Sequence, residues 1–151
     1  MFLACRALST APDLPATGIA SEGCYRKMFW NCSGLVTAPS CLNFTDMGPS
    51  SCFEMFDMHR EDYAHYNINL KVAPELPATG LAKQCYDSMF ADCGGLTSIN
   101  VGFTDWADNV YATNYWFGAN PAASGTFTKP SALPEQFDSS HIPNGWTVIN
   151  K

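Results

Sequence analysis

Seven cysteines give this 151-residue chain its widest range of possible side-chain chemistry. Thiols form disulfides, bind soft metals or act as nucleophiles, and an odd number cannot all pair within one chain. A zinc site favours closely spaced Cys-x-x-Cys pairs, which the sequence lacks. Cys24 and Cys32 lie eight residues apart, about 12 Å along a helix axis and too far for a disulfide. We therefore expect structural thiols, with no metal and no other cofactor.

Two histidines lie in a polar and aromatic stretch, residues 58–69. Their spacing matches neither a zincin helix nor another common metal-ligand spacing. The stretch is therefore either a solvated bulge without a ligand or a ligand-binding loop. The ligand-binding candidates in it are His59, Arg60, Asp62, Tyr63, His65 and Tyr66.

A second candidate surface is the aromatic region 103–117, where tyrosines and tryptophans alternate with Asp105, Asp108 and Asn109. Such rings bind sugars or protein partners, but they also serve to cover the open edge of a repeat array. Both interpretations stay open at the level of sequence. The binding candidates in this region are Trp106, Tyr115 and Trp116.

Neither motifs nor charge indicate an enzyme or a nucleic-acid-binding protein. The sequence has no nucleophile elbow, P-loop, dinucleotide fingerprint or HExxH motif. The net charge is −6, from 14 acidic and 8 basic residues, which provides no basic surface for phosphates or anionic membranes. No apolar run approaches the roughly 20 residues that cross a bilayer. We expect no enzymatic activity, no nucleic-acid partner and no membrane insertion.

An internal repeat must position these residues. The sequence APDLPATGIA at 11–20 returns as APELPATGLA at 73–82, and CYRKMFWNCSGL at 24–35 returns as CYDSMFADCGGL at 85–96. Met-Phe pairs begin at residues 1, 28, 55 and 89, so their spacings are 27, 27 and 34 residues. Periods of about 20 to 50 residues indicate stacked repeats. The longest spacing contains an insertion at 58–69 in the third unit.

Each repeat is predicted to form one short helix and one strand. Tyr25, Met28, Phe29 and Cys32 fall at i, i+3, i+4 and i+7, the spacing of one buried helical face. Gly34 is expected to end this helix in the left-handed conformation. Parallel strands are predicted where short β-prone stretches follow the helices. These stretches are 8–11, 35–38, 70–73 and 96–101.

The repeat also accounts for the cysteines. Three share one position, three share another and one replaces a leucine, so all seven are expected among apolar neighbours, where a free cysteine acts as a small hydrophobe. The three groups are Cys5, Cys32 and Cys93; Cys24, Cys52 and Cys85; and Cys41.

These motifs resemble the BspA-like leucine-rich repeats of bacterial surface proteins, which are common in gut Bacteroidales and their phages. The resemblance covers about residues 1–106. It rests on the pattern Leu-x-x-Ala-Pro-x-Leu-Pro-Ala-Thr followed by Cys-Tyr-x-x-Met-Phe-x-x-Cys-x-x-Leu. It implies an α/β fold, a leucine-rich-repeat solenoid with short parallel strands and short helices. Residues 126–149 are similar to the closing segment of such proteins, so we expect a β-rich C-terminal cap with strands at 125–129 and 146–150.

The expected organisation is a leucine-rich-repeat array of about four units over residues 1–106, followed by a capping segment over 107–151. The first unit lacks half of its helix, so we expect a neighbouring repeat or subunit to cover its N-terminal edge. The resemblance implies a non-catalytic recognition or adhesion module of an extracellular bacterial surface protein. Its partner would be a protein or glycan on a host or cell surface. The alternative is a structural or receptor-binding component of a bacteriophage virion, in a tail or head fibre.

Overall fold

The computed structural model describes residues 2–58 and 69–151. Within them, the regular elements are five short strands and one 3-10 helix. The strands are β1 (Leu14–Ile19), β2 (Leu42–Asp46), β3 (Ser98–Asn100), β4 (Thr126–Lys129) and β5 (Thr147–Asn150), and the 3-10 helix is Asp108–Val110. A search of this part of the chain finds no helix with the length and apolar character of a membrane span.

The strands form two small parallel sheets. β1 pairs with β2 in the first sheet, and β4 lies between β3 and β5 in the second. Residues 75–80 lie between the sheets, because isolated bridges join Cys41 to Glu75 and Leu76 to Val101. The order of pairing therefore follows the order of the repeats along the chain.

Most of the strand predictions within the repeats are wrong. The stretches 8–11, 35–38 and 70–73 make only isolated bridges, and only the last predicted stretch contains a strand, β3. β1 and β2 lie further along each repeat; in β2 the alternate side chains of Leu42 and Phe44 are buried. The strands expected near 125–129 and 146–150 are confirmed as β4 and β5.

Where short helices were predicted, the chain forms consecutive turns. Four such stretches, here called the first to fourth turn segments, span residues 22–31, 49–58, 83–92 and 108–118. In the first three, alternate N–H groups donate to the carbonyl three residues back, and the N–H groups between them donate to the next segment. Met28 N–H, for example, donates to the Tyr25 carbonyl at 3.1 Å, whereas Phe29 N–H donates to the Met55 carbonyl at 2.9 Å. With turns in place of helices and sheets of only two and three strands, the predicted α/β leucine-rich-repeat solenoid is wrong.

The apolar pattern of the turn segments resembles that of a helix because the two structures have similar periods. Left-handed residues recur every four positions, as at Gly23, Lys27 and Asn31 in the first turn segment. A four-residue period differs little from 3.6 over two turns, so one side of the segment is still apolar. Of the stripe predicted for the first repeat, Phe29 and Cys32 are buried, whereas Tyr25 and Met28 are half-buried. The equivalent residues of the repeat at 85–96 are all buried; they are Tyr86, Met89, Phe90 and Cys93.

Gly34 is required for a different reason from the one predicted. Its φ is not positive, so it is not a left-handed helix terminus. A Cβ atom at this position would collide with the carbonyl oxygen of Arg6 in the preceding repeat. Glycine is therefore needed here for close approach between repeats.

A column of phenylalanine rings runs through the core. Phe2, Phe29, Phe56 and Phe90 stack with successive centroid separations of 5.4, 5.4 and 5.6 Å and interplanar angles of 7°, 12° and 9°. Phe117 lies 6.1 Å beyond Phe90, although tryptophan rather than methionine precedes it. The fourth turn segment thus contains a fifth copy of the aromatic position. The domain boundary at residue 106 stays a prediction, and the ring column continues across it.

The left-handed turns predict opposite effects for two Ala→Gly substitutions near the N-terminus. Ala4 has a φ of 56°, so Ala4→Gly relieves a strain of about 1–2 kcal/mol that exceeds the entropy cost of glycine. Ala7 is exposed and not left-handed, so Ala7→Gly should lower the free energy of unfolding by about 0.5–1 kcal/mol. Urea denaturation of both variants measures the difference. An equal loss of stability in both would contradict the turn and favour a helix.

Candidate functional site

The fourth turn segment ends the series of turn segments. Its carbonyl groups accept hydrogen bonds from the third segment, such as that from Gln84 N–H to the Val110 carbonyl at 3.1 Å. Its opposite edge faces the C-terminal part of the chain, where Tyr115 N–H donates to Ser140 Oγ at 3.1 Å. This edge is where the regular pairing of turn segments stops.

Two of the aromatic residues proposed from the sequence as ligand contacts belong to the core. Trp106 and Trp116 are buried, and their indole N–H groups donate to the carbonyls of Pro134 at 2.9 Å and His141 at 2.8 Å. Their rings contact each other edge-to-face at 6.1 Å. These indoles attach the C-terminal segment to the repeats and have no surface to offer a ligand.

The exposed aromatic residues of the fourth turn segment are two tyrosines. Tyr115, a sequence candidate, has 43% of its surface exposed, and Tyr111, which was not selected as a candidate, has 62%. Both are left-handed, with φ of 48° and 55°, and they are one turn apart in the four-residue period. The four-residue spacing of Tyr111 and Tyr115 is visible in the sequence, but their exposure is seen only in the structure.

The remaining sequence candidates lie outside the described residues. They are His59, Arg60, Asp62, Tyr63, His65 and Tyr66. Their role in ligand binding stays a prediction.

A buried histidine joins the fourth turn segment to the C-terminal segment. Both ring nitrogens of His141 lie within hydrogen-bond distance of a carboxylate, Nδ1 at 2.7 Å from Asp138 Oδ1 and Nε2 at 2.9 Å from Asp108 Oδ1. The ring also packs edge-on against Trp106 at 4.8 Å. This arrangement, here called the histidine clamp, fixes residues 138–141 against the end of the repeats.

The clamp shifts the acidity of one of its carboxyl groups. Burial by itself raises the pKa of Asp138, but hydrogen bonds from the Ser140 N–H and the His141 ring outweigh it, and the pKa lies below its ordinary value of 3.8. A carboxyl with a lowered native pKa stabilises the fold fully at pH values above 3.8. That stabilisation is lost as the pH falls through the native pKa.

Two shallow grooves border this end of the molecule. One, of about 250 Å³, is lined by Asp108, Tyr111, Thr113 and Asn114 on one side and by Ser140 and His141 on the other. The second, of about 380 Å³, is lined by Tyr115, Phe117, Pro121, Asp138, Pro143 and Asn144. Each groove thus combines a tyrosine with amide, hydroxyl or carboxylate groups.

The cysteines do not form a reactive site. All seven are free, and four of them are buried. Burial raises the pKa of Cys85 to about 11, which suppresses the nucleophilic thiolate near neutral pH. Cys5 and Cys24 are exposed, so the expectation of apolar surroundings does not extend to burial of every thiol.

The described ranges contain no cluster of three or more His, Cys, Asp or Glu side chains that could hold a metal ion. Comparisons with protein-family models, with curated proteins and with solved structures find no match to this chain. The chemistry of the grooves and of the histidine clamp therefore carries the functional argument.

The histidine clamp predicts a pH-dependent loss of stability for Asp138→Asn. At neutral pH the free energy of unfolding of the variant should be about 1 kcal/mol lower than that of the wild type. This is the amount expected for one partly exposed hydrogen bond to a charged group. The difference from the wild type should shrink as the pH falls below 3.8, because the native Asp138 then becomes protonated as well. Urea denaturation at neutral pH and below pH 3.8 measures this difference in stability. Glu22→Gln is the control, because Glu22 is exposed. A difference that stays constant with pH would contradict the lowered pKa of Asp138.

Proposed function

We propose that this chain is a non-catalytic recognition module that binds a glycan or protein ligand at a bacterial cell surface. The observation that carries the proposal is the pair of exposed rings, Tyr111 and Tyr115, beside two grooves at the C-terminal end of the repeats. The resemblance of the repeats to those of BspA-like surface proteins supports an extracellular location and a role in adhesion.

A glycan suits the chemistry of this face. Tyrosine rings present apolar faces to the C–H groups of a sugar ring while their hydroxyl groups stay in water. Asn114 and Ser140 supply donors and acceptors for sugar hydroxyl groups, and Asp138 supplies acceptors. Adjacent grooves, each with one tyrosine, provide positions for neighbouring rings of an oligosaccharide.

The histidine at this face is poorly placed for acid–base catalysis. A general base needs a free nitrogen within reach of the substrate proton. Both ring nitrogens of His141 are already occupied by the carboxylates of Asp108 and Asp138. The clamp thus supports a positioning role for His141 and a binding rather than a catalytic function for the face.

Removal of the exposed rings tests the proposal. In a screen of glycans and host-surface preparations, Tyr111→Ala and Tyr115→Ala should each weaken binding about tenfold, the effect of losing one aromatic contact of 1–1.5 kcal/mol. Ile149→Ala is the matched control, because Ile149 is an exposed apolar residue on β5 rather than in either groove.

Surface plasmon resonance with the ligands found in the screen measures the affinities, and circular dichroism checks that the variants remain folded. Wild-type affinity in both tyrosine variants would contradict the proposed site. Turnover of any glycan in the panel would contradict the non-catalytic function.

A further inference from the structure

The hydrogen bonds between turn segments all point the same way along the stack. N–H groups of the first segment donate to carbonyls of the second, as from Gly23 to Pro49 at 3.0 Å. The second donates to the third, as from Cys52 to Cys85 at 2.9 Å, and the third donates to the fourth. Each segment therefore presents donors on its C-terminal edge and acceptors on its N-terminal edge.

The C-terminal edge of the fourth turn segment is consequently an edge of donors. On this edge the Tyr115 N–H donates a hydrogen bond to Ser140 Oγ at 3.1 Å. Thr113 lies two residues earlier, so by the same alternation its N–H points to the same edge. Across the described residues, 2–58 and 69–151, the Thr113 N–H makes no hydrogen bond. Thr113 itself is 2% exposed and lines the 250 Å³ groove.

A buried backbone donor without a partner costs free energy, so an acceptor supplied by a ligand is favoured at this position. An anionic acceptor is disfavoured, because the groove already contains the carboxylate of Asp108 and adjoins that of Asp138. The fitting group is a neutral carbonyl.

An extended peptide is a poor source of that carbonyl. A β-strand presents N–H and C=O groups alternately along each edge. The edge of the fourth turn segment offers donors, because its carbonyl groups face the third segment. A strand laid along it would leave its own N–H groups unpaired.

We infer that the 250 Å³ groove binds the acetamido group of an N-acetylated hexosamine. In this arrangement the acetamido oxygen accepts from Thr113 N–H and the sugar ring packs against Tyr111, with Asn114 and Asp108 available to its hydroxyl groups. The inference rests on the proposed function, since it names the class of sugar that the recognition face takes.

NMR titration of the whole ¹⁵N-labelled chain with matched monosaccharides tests this inference. N-acetylglucosamine and N-acetylgalactosamine are compared with glucose and galactose, which carry a hydroxyl in place of the acetamido group, and with glucosamine, which carries an ammonium in its place. The acetylated sugars should move the Thr113 amide proton downfield in a saturable manner. Glucose and galactose should bind about tenfold more weakly, the factor expected for one hydrogen bond.

Two variants keep the test specific. Thr113→Val removes the hydroxyl and keeps the backbone N–H, so it should retain the preference for acetylated sugars, whereas Tyr111→Ala should weaken the binding of every sugar.

Equal binding of acetylated and plain sugars would overturn the inference and leave the proposed function intact. Preferential binding of glucosamine would overturn it in favour of a cation site at the carboxylates, and a peptide from the host surface that shifts Thr113 would overturn it in favour of a protein ligand. If no sugar shifts Thr113, the inference fails, while the screen with the tyrosine variants decides the proposed function independently.

Discussion

Backbone hydrogen bonds between neighbouring turn segments hold this fold together. Half of the N–H groups in a segment close local turns, and the other half have partners only in the next segment. A single segment would leave those groups unpaired. It would also contain left-handed residues, each of which costs about 1–2 kcal/mol of conformational strain. The strain is tolerated because every segment is paired with at least one neighbouring segment, and the second and third segments are paired on both edges. We expect no repeat to be stable by itself.

The same bonds fix the register of the side chains. Because each segment is aligned with the next, equivalent residues stack directly, as the nearly parallel rings of Phe29 and Phe56 do at 5.4 Å. Close alignment also limits space, so that Gly34 cannot carry a Cβ beside the Arg6 carbonyl. The ion pair between Lys27 and Glu54 at 2.8 Å follows the same stacking on the outside of the segments.

In this chain the sequence patterns predict which side chains are buried better than they predict the conformation of the backbone. The Met-Phe period identifies the stacked rings, and the stripe around Phe90 is buried as predicted. The helix was wrong because apolar spacing over two turns cannot separate a 3.6-residue from a four-residue period, and the hydrogen bonds that distinguish them are made to another repeat. The strands β4 and β5 were predicted from the similarity of residues 126–149 to a closing segment, and they pair along their whole length.

The candidate site was predictable only in part, for a similar reason. Trp116 occupies the methionine position of a fifth Met-Phe copy, so its ring is buried, while the neighbouring Tyr115 is exposed. The abundance of aromatic residues in this region was evident from the sequence, but their division between core and surface depends on the turn period. Tyr111 and Tyr115 are four residues apart and would share one face of a helix as well, so the sequence indicates that they are neighbours but not that both are exposed.

The end of the stack connects the fold to its proposed function. Any series of segments that donate in one direction must finish with an edge of unpaired donors. Residues 138–141, held by the histidine clamp, cover part of that edge through Ser140, and the Thr113 N–H beside the groove makes no hydrogen bond within the described residues. A partial cap therefore stops the series without satisfying every donor, so the proposed site for a neutral carbonyl arises from the same edge as the requirement to end the stack.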